Sequence, residues 1–123
     1  MVHSMTNYQR GYMLEYRVKQ ILEANDFLVF RSPASKQAAD LFATKNGDIY
    51  LVQCKKTGVK DKNNMYIYGL EELVSMASKY KAKPLLAYSF YYSPVYVKHV
   101  TAGSMKLAKD DSNVELEHFV GRI

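Results

Sequence analysis

The chain has 123 residues, of which 48% are hydrophobic and 24% charged, and this is the composition of one ordinary globular domain. Seventeen Lys and Arg residues against 12 acidic ones give a net charge of +5, which favours nucleic acid as a partner about as strongly as it favours a lysine-rich solvated surface. A single cysteine excludes a disulfide framework within the chain, and the three histidines lack the spacing of metal ligands.

The N-terminal segment has no long apolar core, so no signal peptide is predicted, and no stretch is apolar enough to span a bilayer. We therefore expect a cytoplasmic protein that does not contact a membrane. Residues 1–5 are set aside as either a disordered terminus or a remnant of expression. A helix is predicted over residues 6–25, where small and apolar residues recur at helical spacing. These residues are Gly11, Leu14, Val18, Ile21 and Leu22.

The middle of the chain has the pattern of short strands. FLVFR (27–31) is predicted as a strand, SPASKQA (32–38) as a loop and ADLFAT (39–44) as a second strand. Asn46-Gly47 is the signal of a tight hairpin turn, so the next strand, IYLVQCK (49–55), is expected to pair antiparallel with its predecessor.

The second half of the chain begins with a polar, basic loop at 56–64. A helix is predicted over 69–83 with Leu70, Leu73, Val74 and Ala77 on its inner face, followed by strands at 84–92 and 95–100. The tail from Thr101 has no clear pattern. The order α-β-β-β-α-β-β predicts an α/β fold with a mixed sheet flanked by helices.

Polar residues interrupt the third predicted strand where apolar ones are expected. Side chains alternate along a strand, so Leu51, Gln53 and Lys55 share one face. A hairpin centred on Asn46-Gly47 pairs positions whose numbers sum to about 93, which sets Asp40 opposite Gln53. Asp40, Gln53 and Lys55 are therefore expected to meet at the end of the sheet that lies far from the turn.

Glu15 adds a further polar group, because it falls on or beside the apolar face of the first helix. A buried carboxylate is costly unless it is paired or coordinates a metal. Glu15 and Asp40 are candidates to share a hard cation such as Mg²⁺, with Lys55 balancing the charge. The amide oxygen of Gln53 and the backbone carbonyl of Cys54 are suitable further ligands.

Each of these residues also has an ordinary structural interpretation. Gln53 could satisfy a neighbouring backbone group, Lys55 could reach solvent at a strand end, and Asp40 could begin a strand after a turn. Glu15 could form an ion pair with Lys19, four residues along the helix. We favour the functional interpretation because four polar groups converge while the apolar pattern around them stays intact.

The residues in question resemble the archaeal Holliday junction resolvases, of the nuclease superfamily named for its PD-(D/E)xK motif. The motifs that carry the resemblance are Arg10-Gly11-x3-Glu15, FLVFRSPAS (27–35), Ala39-Asp40 and Gln53-Cys54-Lys55. The resemblance extends from about Arg10 to Tyr96. It implies a restriction-endonuclease-like core and a single nuclease domain over residues 1–123.

Two positions depart from the family pattern. Ala39 stands where the family usually has Pro, and Gln53 stands where it usually has an acid, so the metal site loses one formal negative charge. The QxK version of the motif is similar to that of Mrr-type restriction enzymes. An active nuclease therefore remains the expectation, with a wider choice of DNA substrates.

The resemblance implies a role for each matching residue. Asp40 would bind the metal directly, Gln53 would replace the second acidic ligand, and Cys54 would offer only its carbonyl. Lys55 would orient or activate the attacking water, and Glu15 would bind the metal through water or complete a second site. The residues implied near the DNA are Ser35 at the scissile phosphate and Arg10, Arg31, Lys36 and Lys56 on the backbone.

The expected function is therefore an Mg²⁺-dependent endonuclease, with Mn²⁺ as a substitute and no organic cofactor, that resolves four-way DNA junctions. Two symmetric nicks require two active sites, so a homodimer is expected. The tyrosine-rich stretch 85–97 and the helix that begins with GLEEL (69–73) are apolar enough to supply part of that interface, and ordinary core packing is the alternative for the tyrosines. Three alternatives stay open: a related restriction- or repair-type nuclease, a junction-binding protein that has lost catalysis through Gln53, and a structural protein without a nucleic-acid role.

Overall fold

The architecture is taken from a computed structural model that describes residues 7–32, 38–57, 63–91 and 93–123. Its helices are α1 (Asn7–Ala24), α2 (Glu71–Lys79) and α3 (Leu116–Val120). Its strands are β1 (Leu28–Arg31), β2 (Leu41–Lys45), β3 (Asp48–Lys56), β4 (Asn64–Ile67), β5 (Lys83–Ser89), β6 (Tyr96–His99), β7 (Met105–Ala108) and β8 (Val114–Glu115).

Six of these strands form one mixed sheet in the order β1-β2-β3-β5-β6-β8. Only β3 and β5 pair in parallel in this sheet, and α2 lies in the crossover between them. The predicted hairpin is confirmed: Lys45 pairs with Asp48, and Asn46 and Gly47 have φ of 54° and 86°. Both turn residues adopt the left-handed conformation that a two-residue hairpin requires.

The sheet buries an apolar core on each face. On one face, Leu14, Val18 and Leu22 of α1 pack with α3 against alternate residues of the strands. On the other face, α2 and the small antiparallel β4–β7 sheet cover Leu51 and Leu86. The predicted α/β class with a mixed sheet between helices is therefore confirmed.

The element boundaries follow local chemistry. The first helix ends close to the predicted position, where Asp26 has a φ of 68° and the Asn25 side chain donates to the Ile21 carbonyl oxygen. The second helix is shorter than the predicted 69–83, because Lys81 has a φ of 55° and turns the chain away after Lys79. The expectation of one loop over 56–64 is wrong at both ends, since β3 includes Lys56 and β4 begins at Asn64.

The tyrosine-rich stretch belongs to the core of the monomer. Leu86, Ala87, Tyr88 and Phe90 are completely buried. The Tyr88 hydroxyl donates a hydrogen bond to Asn113. Core packing is therefore confirmed for these four residues, and a contribution of the rest of the stretch to a dimer interface stays a prediction. None of the described helices is both long and apolar enough to cross a membrane.

Candidate active site

The candidate site begins where β2 begins. Asp40 directly precedes Leu41, the first residue of β2, and its backbone is held on both sides. Its N–H donates to the Val52 carbonyl at 2.9 Å, and its own carbonyl accepts from the Ser32 N–H at 2.8 Å. The register of the hairpin, in which paired numbers sum to 93, thus continues to Asp40 as predicted.

The carboxylate of Asp40 accepts a hydrogen bond from β3 just beyond the point where the backbone pairing of β2 with β3 ends. Beyond Val52, β3 keeps β5 as its neighbour to Lys56, whereas its ladder with β2 has ended. The Cys54 N–H donates at 2.7 Å to Oδ2 of Asp40, so this carboxylate replaces the backbone acceptor of a paired strand. Within the described residues, Oδ1 of Asp40 has no hydrogen-bond partner.

The electrostatics of Asp40 are those of a half-buried anion among cations. Burial raises the pKa of the Asp40 carboxyl above its ordinary value. The Cys54 N–H and the charges of Lys55 and Arg31 lower the pKa in part, without cancelling the effect of burial. Lys55 and Arg31 are therefore both close enough to stabilise the ionised form.

Glu15 is the second carboxylate of the cluster. It is buried on α1 as predicted, and the Arg31 Nε donates to its Oε2 at 2.7 Å. The expected alternative, an ion pair with Lys19, is wrong because Lys19 pairs with Glu23 at 3.3 Å. Burial raises the pKa of Glu15, the hydrogen bond from Arg31 lowers it, and the charge of Asp40 raises it further. The two carboxylates thus lie close enough to repel each other.

The two faces of β3 differ in the way that the alternation predicts. Tyr50, Val52 and Cys54 pack toward α1, whereas Leu51 packs toward α2, and Gln53 and Lys55 follow Leu51 at two-residue intervals. Burial, with Asp40 and Glu15 nearby, raises the pKa of the Cys54 thiol well above its usual range. The thiol is thus protonated at neutral pH.

The structure describes Gln53 and only some of the residues that are predicted to contact DNA. The Gln53 side chain is half-buried and makes no hydrogen bond within the described residues. Lys56 is half-buried at the end of β3, opposite Ser89. Arg10 lies in α1, with its side chain outside the description, and Ser35 and Lys36 lie outside the described residues altogether.

The donor set of this site suits a hard cation with few protein ligands. Among the residues that the structure describes, no group of three or more His, Cys, Asp and Glu side chains could hold a metal ion. Two carboxylates, an amide oxygen and a carbonyl remain. Mg²⁺ is commonly held by one or two carboxylates together with water and substrate phosphate, so this set fits it.

One part of the cluster was absent from the sequence-based prediction. Arg31 is expected on the DNA backbone, and in the structure it also forms an ion pair with Glu15 that joins β1 to α1. The guanidinium also lies 4.2 Å from the centre of the Tyr12 ring. The available signal was weak: Tyr12 precedes Glu15 by three residues, which sets both side chains on one side of the helix. Contact with DNA remains a prediction for Arg31.

Comparison with known proteins gives consistent results. The family model described as "Archaeal holliday junction resolvase (hjc)" matches residues 6–123. A crossover junction endodeoxyribonuclease Hjc of Methanocaldococcus jannaschii is 35% identical over 83 residues, which are 68% of this chain and 61% of that protein. A crossover junction endodeoxyribonuclease of Sulfolobus islandicus rod-shaped virus 1 is 42% identical over 69 residues, 53% of this chain and 56% of the relative. The matched segments thus span about three fifths of these relatives.

A solved structure agrees in fold. The chain superposes on Archaeoglobus fulgidus Hjc, titled a Holliday junction resolvase from an archaeal hyperthermophile, with a TM-score of 0.72. The match covers 91% of this chain and 96% of that one at 17% sequence identity, so it establishes the fold alone. The restriction-endonuclease-like core implied by the sequence resemblance is the observed fold.

Proposed function

The chain belongs to the archaeal Holliday junction resolvase family, and from this premise we propose that it is a metal-dependent endonuclease that resolves four-way DNA junctions. One observation carries the proposal: the Asp40 carboxylate is fixed on the Cys54 N–H at the open end of β3, close to the charges of Lys55 and Glu15. The proposal takes residues 1–123 as a single nuclease domain that acts on intracellular DNA.

The proposed cation is Mg²⁺, with Mn²⁺ as a substitute. Asp40, Glu15, the Gln53 amide oxygen and the Cys54 carbonyl are the oxygens that would hold it, either directly or through water. When bound, such a cation supplies positive charge that polarises the phosphodiester and makes water more acidic. The repulsion between Glu15 and Asp40 supports a cation here, since a positive charge between them relieves it.

The remaining roles follow from what hydrolysis requires. A water oxygen forms a bond to phosphorus, the bond from phosphorus to one sugar oxygen breaks, and a proton from the water is transferred away while the leaving oxygen gains one. The Lys55 ammonium orients the water and stabilises the added negative charge on the phosphate. Ser35 contacts the scissile phosphate. The residues assigned to the phosphate backbone are Arg10, Arg31, Lys36 and Lys56.

A homodimer is the second part of the proposal, because a two-fold symmetric junction needs two nicks and each chain carries one site. An exposed apolar row supports it. Phe30, Phe42 and Leu51 pair in register across β1, β2 and β3. Their exposure falls from 57% at Phe30 through 38% at Phe42 to 5% at Leu51, where α2 covers the sheet. The uncovered end of this row, together with Leu28, is the surface that we assign to the second copy. Leu28 is 57% exposed.

The dimer is tested by size-exclusion chromatography with light scattering. One chain has a mass of 14.1 kDa, and wild type is expected to elute with twice this mass. Phe30→Glu should shift it to the monomer, because a charge would be buried at the contact. The matched control is Tyr80→Glu, an exposed aromatic residue outside this row. A Phe30→Glu protein that stays dimeric would remove this surface from the interface.

The activity is tested with a labelled synthetic four-way junction, incubated with Mg²⁺ and resolved on a denaturing gel. Linear duplex and flap substrates are run in parallel. Preferential nicking of the junction, abolished by EDTA, is the expected result. Equal cleavage of linear duplex would instead identify a nuclease of restriction or repair type.

One observation favours a second candidate, a junction-binding protein with little catalysis. The site has Gln53 where the family usually has an acid, and the described residues offer no third carboxylate near Asp40 and Glu15. Such a protein would shift the junction in a native gel and leave it intact with Mg²⁺ or Mn²⁺. A protein that neither binds nor cleaves the junction at low salt would contradict both candidates.

A further inference from the structure

Three side chains form a chain of contacts at the border of the candidate site. The Tyr12 ring lies under the Arg31 guanidinium at 4.2 Å, and the Arg31 Nε donates to Glu15 at 2.7 Å. Tyr12 and Glu15 stand three residues apart on α1, so their side chains emerge on the same side of the helix. Arg31, the last residue of β1, thus meets α1 at two points.

The two contacts use different parts of the guanidinium. A planar guanidinium stacks through its face and donates hydrogen bonds through its edge, so the ring and the carboxylate do not compete. The Arg31 side chain is 36% exposed, whereas that of Glu15 is 11% exposed. The ring therefore covers one face of a cation that water would otherwise reach, and it restricts the rotamers of a long, flexible side chain.

Arg31 is more than the partner of one carboxylate. Its charge also acts on Asp40, which is fixed on the Cys54 N–H. Among the residues that the structure describes, Lys55 is the other cation that acts on Asp40. The position of Arg31 therefore contributes to the charge balance between Glu15 and Asp40, and among the described residues the Tyr12 ring lies against Arg31.

We propose that Tyr12 is a positioning residue of the active site, whose ring holds the Arg31 guanidinium in place and through it the Glu15 carboxylate. The inference rests on the proposed nuclease function and adds to it a residue that touches neither the phosphate nor the cation. Without the ring, Arg31 would adopt other rotamers and Glu15 would lose its fixed place beside Asp40. The chemical step would then slow, whereas junction binding would change less, because Arg31 keeps its positive charge near the phosphate backbone.

The test compares Tyr12→Leu with Tyr12→Phe and a matched control. Phe keeps the ring face and should retain the wild-type rate, whereas Leu removes it. Tyr16→Leu is the control, because Tyr16 is 52% exposed on the same helix and makes no ring contact within the described residues. In single-turnover cleavage of the synthetic junction, Tyr12→Leu should lower the rate about two- to fivefold, the range of an exposed cation–π contact. The dissociation constant for the junction in EDTA should change by a smaller factor than the rate, because Arg31 keeps its charge.

A measurement without metal or substrate reports the contact itself. The chain has four arginines, Arg10, Arg17, Arg31 and Arg122, so arginine labelled with ¹⁵N gives four Nε–H signals in NMR spectra. Arg31→Lys identifies the Arg31 signal by its loss. This signal should be shifted by the tyrosine ring and protected from exchange with water in wild type and Tyr12→Phe, and it should lose both properties in Tyr12→Leu. Thermal melts of all variants check that each is folded.

The outcomes separate the inference from the function on which it rests. If Tyr12→Leu keeps the wild-type rate, Tyr12 is a structural contact only and the inference is wrong, whatever the NMR signal does. If Tyr12→Leu weakens junction binding as much as cleavage, the ring acts on DNA binding, either directly or through Arg31, and the inference is equally wrong. If wild type does not cleave any junction, the proposed function fails, and the active-site role of Tyr12 fails with it even where the NMR contact is found.

Discussion

The two halves of β3 differ sharply although they belong to one strand of one sheet. Tyr50, Leu51 and Val52 are at most 5% exposed and have β2 and β5 as neighbours. From Gln53 to Lys56 every side chain is half-buried, because β5 continues while the ladder with β2 has ended. Among the described residues, polar groups thus enter the sheet where β3 no longer pairs with β2, and the candidate site lies at this position.

The largest expected loss of cleavage comes from a substitution at Asp40, whose carboxylate accepts from the open half of β3. Asp40→Asn should lower cleavage at least about 100-fold, because a carboxylate proposed as a metal ligand is lost. Binding of the junction should persist or tighten, since a negative charge near phosphate is removed. The amide oxygen of Asn can still accept from the Cys54 N–H, so the strand end should keep its structure.

The matched control for Asp40→Asn lies at the other end of β3. Asp48→Asn makes the same chemical change at an exposed hairpin position, where Asp48 pairs with Lys83 at 3.7 Å. Cleavage and binding should not change. Full cleavage by the Asp40→Asn protein in a single-turnover assay would remove Asp40 from the active site.

The difference between the two halves also explains what the sequence could predict. The apolar run 49–52, the Asn-Gly turn and the pairing of positions that sum to 93 are local signals, and they placed Asp40 opposite the end of β3. The contact of Arg31 with Glu15 joins residues 16 positions apart and follows from how α1 packs on the sheet, which no local pattern reports.

The missed elements lie in two parts of the chain without a clear pattern. The β8 strand has two residues and α3 has five, so both are too short for a periodic pattern to develop. The β4 and β7 strands are as long as β1, but they begin in the predicted polar loop and in the tail. The buried residues Met65, Ile67 and Leu107 hold the β4–β7 sheet on the α2 face through tertiary packing. Propensity and alternation alone could not predict that packing.

A core residue of β5 that pairs with the buried half of β3 should affect stability and not activity. Leu85, 2% exposed, pairs with Val52 in the parallel ladder and belongs to the core under α1. Leu85→Ala should lower the free energy of unfolding by about 2–5 kcal/mol, as expected for a cavity at a core leucine. Urea denaturation measures this change.

The comparison for Leu85→Ala is Lys55→Ala in the open half, which should lower cleavage while changing the unfolding free energy by less than about 1 kcal/mol. If both substitutions destabilise the protein equally, the difference between the two halves is not one of burial.

Tyr88 offers a smaller effect that depends on pH. It is completely buried, and it lies opposite Lys55 in the parallel ladder of β3 and β5. Burial is the main cause that raises the pKa of Tyr88 to about 12. The ordinary pKa of tyrosine is about 10. Between these values the folded protein keeps a proton that the unfolded chain has lost, so stability is full below pH 10 and falls as pH rises toward 12.

Tyr88→Phe tests this dependence by thermal or urea unfolding between pH 7 and pH 11. At neutral pH the variant should be less stable by about 0.5–1.5 kcal/mol, because Asn113 loses the hydrogen bond from the Tyr88 hydroxyl. The difference should shrink above pH 10, since phenylalanine does not titrate. A constant difference across this range would show that Tyr88 titrates alike in both states.

The smallest expected change concerns Gln53, the first residue of the open half. A neutral amide oxygen attracts a divalent cation less strongly than a carboxylate does, so the site should need more metal than one with an acid at this position. Gln53→Glu should lower the Mg²⁺ concentration for half-maximal cleavage at least about fivefold, because one added charge near a protein surface contributes about 1 kcal/mol or more. Gln53→Leu removes the oxygen and should raise that concentration or abolish cleavage, with little loss of stability.

The alternatives predict different results from the same metal titration and thermal melt. If wild type is a catalytically impaired binding protein, it is inert and Gln53→Glu gains cleavage. If Gln53 only fills space beside Leu51, Gln53→Glu lowers the melting temperature by burying a charge and leaves the metal requirement unchanged. That last result would separate Gln53 from the cation and leave Asp40 and Glu15 as its only side-chain ligands in the described part of the site.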